Sequence, residues 1–355
     1  MFRVNSFIIL CLFSFFYPLN SMGQGTLKVI YSEAVDVFEI MDNASMWHES
    51  SDSGYYKHFK KKFELSDKDQ SLLEEYKKLR LKYYRPVAVS ENTGLFNNNF
   101  DLPLTSFANA FYSSKSIGEA LNVLATRTIS ATEKKFLVTF YKHFQDKITT
   151  MVRESAAFRS KIQEVQKVFK KGKVDAVVGK SFKFLNIDKT IKGIKIYPVW
   201  YPEDLEPRIL NVGTVIILRA NPINKWDSVK INELVEKAIE LLLVIQSNNQ
   251  KDNFSKIFLN KCQIKSNIAL IDVFSSPLAV VLGKMFFEQN VLKKQFNQYR
   301  EWSIHPWVNV YSKMLFSLVE KSLKEKETIE SSEFVTNAAA ICNDLVTLNT
   351  FLSIR

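Results

Sequence analysis

Apolar residues recur at helical spacing through much of the first half of the chain. After Ser66, the positions Leu72, Leu73, Tyr76, Leu79 and Tyr83 share one face, and Pro86 ends the run. The Ser66-x-x-Asp69 pattern predicts where that helix begins. The serine side chain can accept from an early backbone N–H, and an acid in the first turn suits the helix dipole. Ser116-x-x-Glu119 and Ser130-x-x-Glu133 predict two more starts, the second leading into Phe136, Leu137, Phe140, Tyr141 and Phe144. A further helix is expected over about 149–170, stopped by Lys171-Gly172-Lys173, and Asn97-Asn98-Asn99 reads as a loop.

The texture then changes. Ile194–Trp200 and Thr214–Leu218 are short apolar runs rich in β-branched and aromatic residues, which predict strands. Helical spacing resumes at Asp227 and carries Val229, Leu234, Val235, Ala238, Ile239 and Leu242. Further helices are expected over Ser276–Glu288, Pro306–Lys324 and Ser332–Leu352. Residues 267–287 approach the hydrophobicity of a membrane span. Asp272, the Ser275-Ser276-Pro277 break and Lys284 argue instead for a buried helix, since charges at membrane depth are costly.

The amino terminus reads as a secretory signal. Arg3 precedes the apolar run Phe7–Tyr17, and the small residues Ser21 and Gly23 flank Met22 before Gln24. The run is too short to cross a bilayer, so a cut after Gly23 and a secreted or periplasmic product are expected. That division gives a signal peptide over 1–23, a helical N-terminal region over 24–180, and a core with C-terminal helices over 181–355. With 46% apolar and 24% charged residues, the composition is that of a folded globular chain. The net charge of +11 admits several anionic partners, but no nucleic-acid-binding motif accompanies it. The densest basic run, Lys57–Lys62, is followed by acids and reads as a solvated helix face. Cys11 leaves with the signal; Cys262 and Cys342 then either form one disulfide or stay as two buried thiols.

The order strand, edge strand, long helix, second buried helix resembles the gluzincin metallopeptidases. The residues that carry the likeness are Ile196-Tyr197-Pro198-Val199-Trp200-Tyr201-Pro202, Gly213–Leu218, Ile231-Asn232-Glu233-Leu234-Val235-Glu236 and Ser276–Gly283. The runs Ser32–Phe38, Trp47-His48-Glu49 and Ser116–Phe144 resemble those of poorly characterised bacterial exported proteins built on the same core. The resemblance implies an α+β, mostly helical fold: a small sheet packed on a zincin-like pair of core helices, with an N-terminal helical region.

It also implies roles for particular positions. In the His-Glu-x-x-His motif, the residues at i and i+4 converge on zinc and the Glu at i+1 serves as general base. Asn232 and Glu236 stand at the two ligand positions, Ser276 at the third, and Glu233 at the base. An amide, one carboxylate and a hydroxyl make a poor zinc set. The expectation is a pseudo-peptidase without cofactor, with Glu233 vestigial and a cleft that binds peptide or protein. Simpler accounts stay open: Glu233, Glu236 and Glu240 can form a solvated stripe, and Ser276 before Pro277 is a good N-cap. So do an active hydrolase with an unrecognised site, such as a metal held by Glu233, Glu236, Asp227 or His48, and a helical interaction protein unrelated to peptidases.

Overall fold

A computed structural model describes residues 26–353, apart from 85–94, 97–100, 103–104, 173, 189, 192, 224, 226–230, 263, 265–272 and 296. Residues 1–23, where a signal peptide is expected, Pro86, Asn97-Asn98-Asn99, Asp227, Val229 and Asp272 lie outside the described residues. The described residues are mostly helical, at 67%, around one four-stranded mixed sheet.

The sheet order is β1 (Thr26–Val29), β2 (Gly193–Trp200), β4 (Val215–Ala220), β3 (Arg208–Val212). β1, β2 and β4 run parallel, and β3 returns antiparallel along β4. Val212 pairs with Val215 across a two-residue turn. Gly213 sits there at φ 56°, a conformation open to glycine at little cost.

Successive side chains of a strand point to opposite faces, and here they enter two separate cores. Ile194 and Ile196 of β2, with Ile216, Leu218 and Ala220 of β4, join one core. Tyr197, Val199, Val215, Ile217, Leu210 and Val212 join the other. Helices therefore cover both faces. The second core belongs to α1 (Glu33–Ala44), α2 (Ser53–Phe63), α3 (Asp67–Lys82), α4 (Ser106–Tyr112), α5 (Ile117–Arg127), α6 (Ala131–His143) and α7 (Gln145–Glu154). The first core belongs to α8 (Phe158–Gly172), α9 (Val174–Phe184), α10 (Ile231–Ile245), α11 (Asn248–Lys261), α12 (Ser275–Ala279), a π-helical segment Val280–Met285, α13 (Phe286–Asn290), α14 (Pro306–Glu325) and α15 (Ser332–Ser353).

The three expected serine caps all act. Ser66, Ser116 and Ser130 each accept from the backbone N–H three residues on, and Asp69 and Glu133 complete capping boxes. The helix expected over 149–170 is two helices, α7 and α8, joined by a 3-10 turn at Ser155–Ala157. The Lys57–Lys62 run lies on α2, where all four lysines are exposed and Phe59 is buried. The boundary expected at 180/181 falls inside α9, and β1 ties the N-terminal region to β2 in one sheet. Cys262, at the end of α11, is disulfide-bonded to Cys342 in α15, with Cα atoms 5.9 Å apart and a sequence separation of 80. No helix among the described residues is long and apolar enough to cross a membrane.

Candidate functional site

The positions singled out by the resemblance lie where α10 meets the helix that follows Phe274. The two run antiparallel. At one point, Asn232 donates from Nδ2 to Glu288 Oε1 at 3.3 Å. One turn further along α10, the Glu236 backbone lies against Gly283, so closely that a β-carbon on Gly283 would strike it. Gly283 belongs to the π-helical segment, and such one-turn irregularities often mark functional sites.

This register decides which residue faces the first ligand position. It is Glu288; Ser276 lies about 18 Å of helix away, toward the opposite end of the pair. Ser276 is the second residue of α12, beside Pro277, whose carbonyl accepts from Ser312 at 3.2 Å. Asn232 and Glu236 thus share a helix face, but Ser276 is not brought to them. Sequence spacing alone did not point to Glu288, because the position of the π-helical segment sets the phase of the second helix.

Glu288 is almost fully buried. Its carboxylate receives Asn232, the Arg300 guanidinium at 2.6 Å and, more distantly, Lys294 at 3.9 Å. Ile231, Asn232, Glu233, Lys284, Glu288, Leu292, Lys294, Arg300 and Glu301 line an open cleft of about 590 Å³. Burial pushes the Glu236 carboxyl up to about 7, with Lys284 opposing the rise and Glu240 and Glu233 adding to it.

A second set of charges is hidden beneath the sheet. Helix α1 is buried from Ala34 to Ala44, and it carries Asp36, Glu39, Asp42 and Asn43 into the core. Asp42 takes a two-pronged ion pair from Arg80, at 2.5 and 3.1 Å, and hydrogen bonds from Tyr76 and Trp47. Glu39 takes Arg219 at 2.9 Å and Tyr112 at 2.6 Å. Asp36 accepts from the Trp200 backbone at 2.6 Å and from Tyr31; burial still raises its carboxyl to about 6, against these two hydrogen bonds. The space between these groups is about 30 Å³, the size of one water. A cluster so fully paired is a brace, not a substrate site. Its sequence signal was an acid at every third position of an otherwise apolar run: Asp36, Glu39, Asp42.

The histidines are dispersed among local tasks. His48 Nδ1 meets Ser50 Oγ at 2.7 Å, His143 pairs with Asp69 at 2.8 Å, and His305 caps α14. His58 packs edge-on against Trp200, and its buried Nε2 has no hydrogen-bond partner. Burial, then Lys62, lowers its pKa. Among the described residues, only Glu325, Glu327 and Glu333 bring three metal-ligating groups together, at the surface where α14 ends. Lys321 already pairs with two of them.

No family model, no curated protein and no solved structure matches this chain. The residues at the expected zinc positions do not fit that metal. Asn232 supplies an amide already bonded to Glu288, Glu236 is a carboxyl that burial favours in its neutral form, and Ser276 is elsewhere along the helix.

Proposed function

We propose that this chain is an exported, non-catalytic protein of metallopeptidase-like build, and that the cleft over Asn232 and Glu288 binds peptide or protein. The observation that supports this most is the chain Asn232–Glu288–Arg300. Where a zinc enzyme would set imidazoles and a carboxylate around a metal, an amide and a carboxylate are joined and a guanidinium supplies the positive charge. A buried carboxylate needs such a partner, because an unpaired charge in the interior is strongly destabilising. The cation is thus part of the protein. A hydrolytic role for Glu233 would require an activated water on a metal, and this donor set does not supply that metal's site.

The cleft's volume falls in the range of ligand sites, and it mixes apolar Ile231 and Leu292 with charges of both signs. Elemental analysis of the purified mature protein, paired with a peptidase assay on a mixed peptide library, tests the reading. The expected result is no stoichiometric zinc, no cleavage, and retained peptides whose capture falls when Arg300 is changed to Gln. Stoichiometric zinc with cleavage abolished by Glu233→Gln would overturn it.

A further inference from the structure

One stretch of surface combines exposed apolar side chains with a backbone that is firmly held. After α13 the chain loops to the start of α14, and Ile304 is 100% exposed, Tyr299 88% and Leu292 40%. Isolated exposed apolar residues are ordinary on protein surfaces. Three on one connection, held outward by internal bonds, are less so. Trp302 is the pin: its ring is buried, its Nε1 donates to the Asn297 carbonyl at 3.1 Å, and its backbone N–H donates to Asn309 at 2.8 Å. The Asn297 side chain accepts from the backbone of Tyr299 and Arg300, and Lys284 donates to the Trp302 carbonyl at 3.1 Å. Tyr299 and Ile304 flank this pin in the sequence, three residues before it and two after it.

The charges beside them are mostly positive. Lys293, Lys294 and Arg300 are exposed, Lys294 and Arg300 while also pairing with Glu288, and the exposed Glu301 is the one acid in the stretch 291–305. The whole chain carries +11.

We infer that Leu292, Tyr299 and Ile304, framed by Lys293, Lys294 and Arg300, dock the protein onto an anionic lipid surface. Apolar tips separated by cations match the boundary between headgroups and acyl chains, where tyrosine is favoured and lysine and arginine meet lipid phosphates. A stable protein partner needs a continuous area of about 800 Å² on each side, and three separated tips do not form one. Leu292, Lys294, Arg300 and Glu301 also line the cleft, so docking turns the cleft mouth toward the membrane. The inference stands on the loop alone and does not need the peptide-binding reading.

The test is co-sedimentation of the full mature protein with vesicles of phosphatidylcholine mixed with phosphatidylglycerol, and with vesicles of phosphatidylcholine alone. The expected result is binding to the anionic vesicles only, weakened by added salt because exposed charges are screened. Changing Tyr299→Ser and Ile304→Ser together should weaken binding about tenfold or more, since two apolar anchors are lost. The pair Tyr299→Phe and Ile304→Leu should retain it. Thermal melts should not move in either pair, because these side chains are exposed in the folded protein. No binding by the wild type, equal binding to both vesicle types, or undiminished binding by the serine pair would each overturn the inference. So would a wild-type dimer, seen by light scattering, that the serine pair abolishes while vesicles stay unbound; the tips would then be a self-association surface.

Discussion

The Glu236 backbone occupies the space that a side chain on Gly283 would need. This contact is what lets α10 and the π-helical segment approach closely, and it holds Asn232 against Glu288 one turn away. Changing Gly283 to Ala or Val should destabilise the protein by about 1–3 kcal/mol, the usual cost of overpacking. Gly118, in α5, has open space where its side chain would go. Gly118→Ala should be neutral or stabilise by about 0.5 kcal/mol. Urea denaturation of the two variants checks the contrast.

The same crossing makes stability depend on pH. Burial raises the Glu236 carboxyl in the folded protein to about 7 from its ordinary 4.5. The folded state therefore holds the proton more tightly than the unfolded state. Stability from this group is intact below about 4.5 and is lost as pH rises to about 7, by at most about 3 kcal/mol. Asp36, raised to about 6 by its own burial, acts in the same direction over a window that ends lower. Glu236→Gln should thus stabilise the protein at pH 8 and change little at pH 4. The measurement is the difference in unfolding free energy between variant and wild type across that range; a flat difference would count against the burial of Glu236.

The brace under the sheet makes a different prediction. Arg80 is buried, paired with Asp42, and stacked over the rings of Trp47 and Phe107 at 4.2 and 4.7 Å. Removing either partner strands a buried charge. Arg80→Met and Asp42→Asn should each cost about 3–5 kcal/mol. The double variant should cost less than their sum, because the two losses share one interaction. A double-mutant cycle by chemical denaturation gives the coupling.

The disulfide ties α11 to α15 across 80 residues. Restricting so long a loop in the unfolded chain predicts that Cys262→Ala with Cys342→Ala lowers stability by about 2–5 kcal/mol. Thermal unfolding of oxidised, reduced and double-variant protein should place the last two together and below the first.

Much of the helical framework was legible because its signals are local. Ser66, Ser116 and Ser130 act on backbone groups three residues away, and the apolar spacing of α3, α6, α10, α14 and α15 lies within each segment. The strands at Ile194–Trp200 and Val215–Ala220 were legible for the same reason. β1 and β3 were not. Thr26–Val29 is short, and it becomes a strand by pairing with Gly193–Ile196, most of the N-terminal half away in sequence. Arg208–Val212 is a strand because β4 returns beside it.

The sequence by itself determined the order of most helices, the strands β2 and β4 and a degenerate Asn-Glu-x-x-Glu pattern on α10; β4, expected at the sheet's edge, is inner because β3 pairs along its far side. Only the tertiary structure decided that α1's acids are internal braces, since their partners Arg80 and Arg219 come from α3 and β4. Only it set Glu288, in place of Ser276, opposite Asn232. Helix phase follows from residue spacing within one segment, but register between two helices is set by how their side chains pack, and here by the close approach at Gly283.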